Sequence, residues 1–399
     1  MRIIWRILGF LRPYRMTLVI AYVSLFIAVC AQLTVPQLIG NVIDDGIDAG
    51  DRSVILNGAL LIIGVVAIQA GFTYVRTYLF QALAERVATD ARRQLYEHML
   101  TLSFSFFDTS QSGQLMSRAT EDINALRRFM MFSLRMAIYS GFVLVIVSFL
   151  LLREHLTLAL ISLAAMPVLA WTALYFSNHV RPMFSLVQQQ FGEMSSVLQE
   201  NLAGTRVVRV FAREDDETAR FDYSLRSLFM KQMNTIRYYS FFFPFMHFIS
   251  GVSLLVVLWY GGRQVLNGSI SVGTLVKFNI YLTLLAMPIR QLGWIMNSVA
   301  RAIASGERIF QIIDTKPAIR DAPDAREIAE PRGEIRLEDV TFTYPHAPRP
   351  ALRGISVEAK PGQVIGLIGS TGGGKSSLTA LVARFYDATS GRVTFDGID

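Results

Sequence analysis

Eight consecutive residues carry the most specific chemistry in the chain. Gly369-Ser370-Thr371-Gly372-Gly373-Gly374-Lys375-Ser376 fits the pattern Gly-x4-Gly-Lys-Ser/Thr. Glycines at those positions let backbone N–H groups converge on phosphate oxygens, and a following helix adds the favourable end of its dipole. Lys375 is placed to reach the outer phosphates of a nucleotide, and the Ser376 hydroxyl to ligate Mg²⁺. The flanks fit. The apolar run 363–368 reads as a strand before the loop, and 376–385 as a helix after it. The competing reading is a Gly-rich turn with no ligand. Further upstream, Tyr344 in Phe342-Thr343-Tyr344-Pro345 either packs as an ordinary strand aromatic or stacks on a base, and its position alone favours the first.

Most of the chain cannot be soluble. Of its 399 residues, 52% are hydrophobic and 17% charged, against about 25% charged in soluble domains. The charge is missing from six apolar segments, each long enough for a helix to cross a bilayer: 16–40, 54–80, 134–152, 156–176, 241–262 and 272–296. On one side the connectors 41–53, 153–155 and 261–271 hold just Arg52, Arg153 and Arg263. The other side holds Arg2, Arg6, Arg12 and Arg15 and two long connectors rich in arginine. By the positive-inside rule that side is cytoplasmic, and the C-terminal segment returns to it. The net charge of +7 is therefore a topology signal, and a nucleic-acid partner is not expected. The N-terminal run is too long for a cleaved leader and reads as a retained first span behind a short helix.

The two long connectors have little Pro or Gly, with apolar residues three and four apart. They read as membrane helices continued into the cytoplasm; 54–102 as one helix would reach roughly 70 Å. Each contains a break. In the first, Asp108, Ser110 and Gly113 are turn and cap residues, with a new helix from Gln114. The second is the charged cluster Arg213-Glu214-Asp215-Asp216-Glu217, either a solvated face or a knob for another domain. Helix continues to Ile313, and the Pro-containing stretch 314–334 reads as a linker. From 335 onward the alternation is strand-like. The single cysteine, Cys30, reads as a small buried hydrophobe, and the histidines at 98, 155, 179, 247 and 346 show no metal-binding spacing. Inside the sixth span, Lys277 is expected to snorkel towards the outer surface. Pro288 is expected to kink the helix, and Arg290 to contact an anionic or amphipathic substrate if it faces a central cavity.

This order of elements resembles the ATP-binding cassette (ABC) exporters, and looks most like the bacterial multidrug or lipid half-transporters. The likeness is carried by Phe106-Phe107-Asp108, Gly113-Gln114-Leu115 and Ser117-Arg118 with Asp122. Glu200-Asn201-Leu202-Ala203-Gly204 with Arg206-Val207-Val208-Arg209 and Phe211 carries it further, as do Ala304-Ser305, Glu307-Arg308-Ile309-Phe310 and Asp314. The implied fold is membrane all-α, six transmembrane helices with long cytoplasmic extensions, followed by the start of an α/β P-loop nucleotide-binding domain. The implied domains are residues 1–313, a linker 314–334, and 335–399 as the first part of the nucleotide-binding domain.

The resemblance also implies roles. Gly369, Ser370, Thr371, Gly372, Gly373, Gly374, Lys375, Ser376 and Ser377 would bind ATP, Ser376 with Mg²⁺ and Ser377 at the α-phosphate. Tyr344 would stack on adenine. The breaks carrying Asp108, Gly113, Arg213 and Glu214 would be coupling helices that touch nucleotide-binding domains. Gly373 stands where many relatives have Ser; the backbone donor survives that change. The family's glutamine loop, signature motif, Mg²⁺-holding aspartate, catalytic glutamate and switch histidine would all lie beyond Asp399, so no catalytic residue is expected within the chain. A cut sequence is the expected reason, a naturally shortened protein the alternative. The implied activity is ATP-driven export of a hydrophobic or amphipathic, drug- or lipid-like substrate by alternating access. The implied partners are a second half-transporter and membrane lipid, in a bacterial inner membrane. A catalytically defective subunit acting by assembly is the other reading.

Overall fold

The computed structural model describes residues 2–325, 328, 330–345 and 347–399, the side chain of Arg181 aside. His346 and three residues of the expected linker (326, 327 and 329) lie outside the described residues. The chain divides into two compact units, Met1–Val87 with Ala125–Ile303, and Ala88–Asn124 with Ala304–Asp399.

The helices in chain order are α1 (Arg2–Gly9), α2 (Arg15–Asn41), α3 (Arg52–Thr101), α4 (Phe104–Thr109), α5 (Ser112–Ser117), α6 (Ile123–Arg128), α7 (Arg135–Glu154), α8 (Leu156–Val210), α9 (Glu214–Leu266), α10 (Val272–Arg290), α11 (Leu292–Ile313) and α12 (Lys375–Val382). Among the described residues, six helical stretches are long and apolar enough to cross a membrane: Arg12–Ile47, Arg52–Thr101, Ser112–Glu154, Leu156–Val210, Glu214–Leu266 and Val272–Ile313. Each contains one expected span. The long connectors are continuous helix, with α3, α8 and α9 each running 50 residues or more.

The first unit is a helical bundle. Its core joins Leu25 and Val29 of α2, Val143 and Val147 of α7, Leu158 and Leu169 of α8, Val257 of α9, and Phe278, Tyr281 and Leu285 of α10, all buried. The buried Tyr281 hydroxyl donates to the Leu33 carbonyl at 2.8 Å, which satisfies its one polar atom. Close approach of α2 and α10 depends on glycine: a Cβ on Gly273 would lie 2.1 Å from the Gly40 carbonyl oxygen. Asp44 closes the same corner. Its carboxylate accepts from the Gly273 N–H at 2.7 Å and the Ser271 hydroxyl at 2.6 Å, at the positive N-terminal end of α10.

Several expectations are corrected here. Lys277 does not snorkel; it is buried, its stem lies over Gly40, and its ammonium meets Glu154 at 3.5 Å. A glycine leaves the stem room and a carboxylate supplies the counter-charge, so the head need not reach water. The sixth span is interrupted rather than merely kinked. Pro288 has no N–H to donate, α10 ends at Arg290, and the Gln291 N–H turns back to Met287 and Pro288 before α11 begins. The second break lies at Phe211, Ala212 and Arg213, upstream of the acidic cluster. Glu214 to Glu217 form the first turn of α9, where carboxylates favour the helix dipole. The helix expected from Gln114 starts two residues earlier, at Ser112.

The second unit carries a three-stranded antiparallel sheet, order β2-β1-β3, with β1 at Ile335–Phe342, β2 at Leu352–Ala359 and β3 at Ser390–Phe395. Leu337, Val340 and Phe342 from β1, Leu352 from β2 and Leu381 from α12 form its core. The described part of 314–334 is neither helix nor strand, and it is tied down at several points. The Thr315 carbonyl meets His98 Nε2 at 2.9 Å, and the Ala318 N–H donates to Ser103 Oγ at 3.1 Å. The strand expected over 363–368 is not formed. Among the described residues nothing pairs with it, and Val364 and Ile368 are 94% and 99% exposed. A strand of a parallel sheet is made by neighbours on both sides, which its own apolar run cannot supply. Helix α12 ends at Val382, three residues short of the expected end, where Arg384 takes a φ of +51°.

Candidate functional site

The phosphate-loop sequence folds into a tight turn that feeds α12. Gly372 and Gly374 have φ of +82° and +80°, values that a side chain rarely tolerates. A Cβ on Gly374 would lie 2.7 Å from Leu352 Cδ2 and 2.9 Å from the Ala351 carbonyl oxygen. The Gly373 N–H donates to Ser370 O at 3.1 Å. Lys375 opens α12 and folds back, its Nζ donating to the carbonyls of Gly369 and Ser370 at 2.8 and 2.7 Å. The ammonium is thereby held over the loop, beside the positive end of the helix. Ser376 is exposed in the first turn of α12, with Thr371 exposed on the loop before it. The glycine conformations, the placed ammonium and the exposed hydroxyl fit a nucleotide phosphate chain with Mg²⁺.

Ser377 faces the other way. It is buried, and its hydroxyl shares a hydrogen bond of 3.0 Å with the Tyr344 hydroxyl. Tyr344, half-buried just beyond β1, packs edge-to-face on Phe342 at 4.7 Å and on Tyr386 at 5.3 Å.

Tyr386 links this cluster to α4. Its hydroxyl donates to the Asp108 carboxylate, and the neighbouring Phe385 ring stacks on Phe104 at 4.3 Å. Burial, reinforced by the Asp108 hydrogen bond and charge, pushes the Tyr386 hydroxyl up to about 12, so it stays a donor at neutral pH. A continuous path of contacts thus runs from α4 through Tyr386 and Tyr344 to Ser377 and the first turn of α12. Sequence reasoning singled out Asp108 and Tyr344 but missed Phe385 and Tyr386. Two adjacent aromatics in the turn after a short helix were the available signal; nothing local revealed what they touch.

The other expected contact residues are not part of that path. Gly113 is exposed, and a Cβ there would meet nothing within 4 Å. Arg213 and Glu214 belong to the first unit, at the α8–α9 turn, where Arg213 pairs with Asp216. Arg290 also lies in the first unit. It lines a cleft of about 340 Å³ together with Met166, Leu169, His247, Ser250 and Leu282. No group of three or more His, Cys, Asp or Glu side chains that could hold a metal occurs among the described residues.

Comparison with known proteins places both parts of the chain in one family of proteins. The family profile described as ABC transporter transmembrane region matches residues 18–289, and the profile described as ABC transporter matches residues 352–399. An ATP-dependent lipid A-core flippase of Syntrophus aciditrophicus (strain SB) is 30% identical over 399 residues, covering 100% of this chain and 66% of the flippase. Two uncharacterized ABC transporter ATP-binding proteins of Bacillus subtilis (strain 168) are similarly related. YknV is 29% identical over 99% of this chain and 65% of its own length; YknU is 30% identical over 96% and 66%. The chain therefore spans about two thirds of the length of these curated relatives.

Proposed function

The chain belongs to the ABC transporter family, and from that premise we propose that the complete protein uses ATP to export a lipid-like, hydrophobic or amphipathic substrate across a bacterial inner membrane. The single observation that carries this reading is the path from α4 to the phosphate loop, because a transporter ATPase must join nucleotide occupancy to its membrane helices. Its relatives named lipid A-core flippases support the lipid-like substrate class.

In this reading residues 1–313 are the transmembrane domain, 314–334 a linker and 335–399 the first part of a nucleotide-binding domain. The N-terminus and that domain are cytoplasmic, following the arginine-rich connectors. The loop residues Gly369 to Gly374 cradle the ATP phosphates, Lys375 neutralises the outer ones, and Ser377, its hydroxyl turned to Tyr344, supports the α-phosphate through its backbone N–H in the first turn of α12. Mg²⁺, held by Ser376, would offset phosphate charge. Tyr344 stacks on the adenine. Two such chains, or this one with a related partner, form the pathway. Nucleotide binding shifts the population between inward- and outward-open states. Asp108 and Gly113, and Arg213 and Glu214, carry that shift from the two cytoplasmic tips. Arg290, in the cleft with His247, meets the anionic or polar end of the substrate.

Reconstituting the full-length protein in proteoliposomes tests the reading. ATP turnover should rise with lipid or amphipathic drug, and a headgroup-labelled lipid should change leaflet only with ATP and Mg²⁺. ATP turnover indifferent to every such substrate, with no movement of labelled lipid, would remove it. Arg290→Ala should change substrate selectivity while nucleotide binding is kept; an unchanged selectivity profile would take Arg290 out of the pathway.

A further inference from the structure

Two arginines of the membrane bundle have no counter-charge among the described residues. Arg76 lies on α3, near the end of the apolar run 54–80, and Arg135 opens α7. Both are half-buried. The Arg76 guanidinium stands 5.7 Å from the Tyr139 ring centre, and the Tyr139 hydroxyl donates to Gln32 Oε1 at 3.2 Å. Arg135 Nε donates to the Met131 carbonyl at 3.3 Å. Arg76 Nε is buried with no hydrogen-bond partner among the described residues. Tyr139 lies one helical turn from Arg135 on the same face of α7, so the Arg76 guanidinium over its ring shares that stretch of α7 with Arg135.

No carboxylate of the surrounding helices can neutralise them. The first acid in the chain is Asp44, and none occurs in 52–84, 123–153, 155–192 or 223–306. Asp51 and Glu154 mark the opposite ends of α3 and α7. By helical rise Arg76 lies about 36 Å from the start of α3 and Arg135 about 29 Å from Glu154. Glu85, about 13 Å further along α3, already pairs with Arg127, and Asp122 with Arg308. Two like charges with an unsatisfied donor at the rim of an apolar layer are costly unless an anion arrives from outside the chain.

The setting indicates which anion. Tyr74 and Tyr78 on the same stretch of α3 are exposed and stacked on each other at 6.4 Å. Exposed aromatics of this kind sit at lipid headgroup depth. The α3 surface beyond them is exposed and apolar, with Leu60, Leu61 and Ile63 more than half exposed. Guanidinium forks match phosphate oxygens in pairs. We propose that Arg76 and Arg135 together bind the phosphate of an anionic lipid headgroup, with the acyl chains lying against the apolar surface of α3.

The test uses the full-length protein without nucleotide, so it stands apart from whether transport occurs. Native mass spectrometry compares phosphatidic acid with phosphatidylcholine of the same acyl chains. The wild type should prefer phosphatidic acid by about tenfold. The double variant Arg76→Gln/Arg135→Gln should bring the two lipids to within about twofold, and Arg76→Lys/Arg135→Lys should keep part of the preference as a point charge does. If the glutamine variant does not fold, hydrogen exchange on the wild type decides instead. Peptides covering 72–80 and 131–139 should gain protection with phosphatidic acid and not with phosphatidylcholine. Equal binding of both lipids by the wild type, a preference that survives in the glutamine variant, or no protection of those peptides would overturn the proposal. Inorganic phosphate that displaces phosphatidic acid at millimolar concentration and protects the same peptides would overturn the lipid assignment and identify a soluble phosphate site.

Discussion

Gly374 holds a φ of +80° with a Leu352 methyl and the Ala351 carbonyl where its side chain would be. Gly374→Ala must therefore both strain the backbone and push the loop off β2. It should cost about 1–2 kcal/mol of local stability from the left-handed conformation alone, and weaken binding of a fluorescent ATP analogue by about tenfold or more. Titration with the analogue checks this; unchanged affinity would mean that the loop relaxes freely. Asp396 shows a second constraint of this scale. Its carboxylate accepts from the N–H groups of Glu334 at 2.8 Å, Arg332 at 2.7 Å and Gly333 at 3.3 Å. Those bonds favour the ionised form and hold its pKa below the usual carboxylate value. The folded state then binds fewer protons than the unfolded one. The contribution is full above about pH 4, the ordinary aspartate value, and is lost as pH falls through the lower folded value. Protection of the 332–334 amides, taken relative to their intrinsic exchange at each pH, should fall on acidification below that point, and Asp396→Asn should flatten the dependence.

Among elements, α4 is the informative one. Six residues long, it is too short to be stable alone, and what fixes it within its unit is the Phe104–Phe385 stack and the Tyr386–Asp108 bond. Phe104→Ala removes the stack and leaves the phosphate loop untouched. ATP-analogue affinity should stay within about twofold, while lipid-stimulated ATP turnover of the full-length protein falls by about tenfold, the equivalent of about 1.4 kcal/mol of lost coupling. Turnover and stimulation both at wild-type levels would show that α4 does not transmit nucleotide occupancy. The hydroxyl of Tyr386 remains protonated across the working pH range, so this junction is not expected to respond to pH near neutrality.

For the membrane unit as a whole, stability depends on how closely its helices approach. At Gly273 the backbone of α10 meets the Gly40 carbonyl and the Asp44 carboxylate with no space for a methyl group. Gly273→Ala should wedge α2 from α10 and break the Asp44 cap, costing about 2 kcal/mol or more. A lower melting temperature in detergent is the expected result, and a melting temperature equal to that of wild type would mean the two helices are not held at this distance. The stem of the buried Lys277, whose ammonium pairs with Glu154, lies over the same glycine corner at Gly40. Removing the Glu154 charge leaves the Lys277 ammonium buried without that partner.

The turn at 369–374 that feeds α12, the six spans and the end of α11 at Ile313 were determined by the sequence alone. Each is a local signal: a spacing of glycines, an apolar run of bilayer length, a period followed by prolines. Where an element needs a distant partner, local pattern failed. The apolar run 363–368 looks like a strand, yet a strand exists only through its neighbours, and those residues have none among the described ones. Lys277 reads as a snorkelling lysine until Glu154 and Gly40 are placed against it. Asp396-Gly397 was a legible hairpin signal that went unread; both residues have positive φ, and the turn closes with reciprocal bonds between Phe395 and Ile398. Only the tertiary structure set Tyr386 between Asp108 and Tyr344 and left Arg76 beside Arg135 without a carboxylate. Contacts between residues far apart in the chain depend on packing and not on local spacing, and the chemistry that joins the elements depends on those contacts.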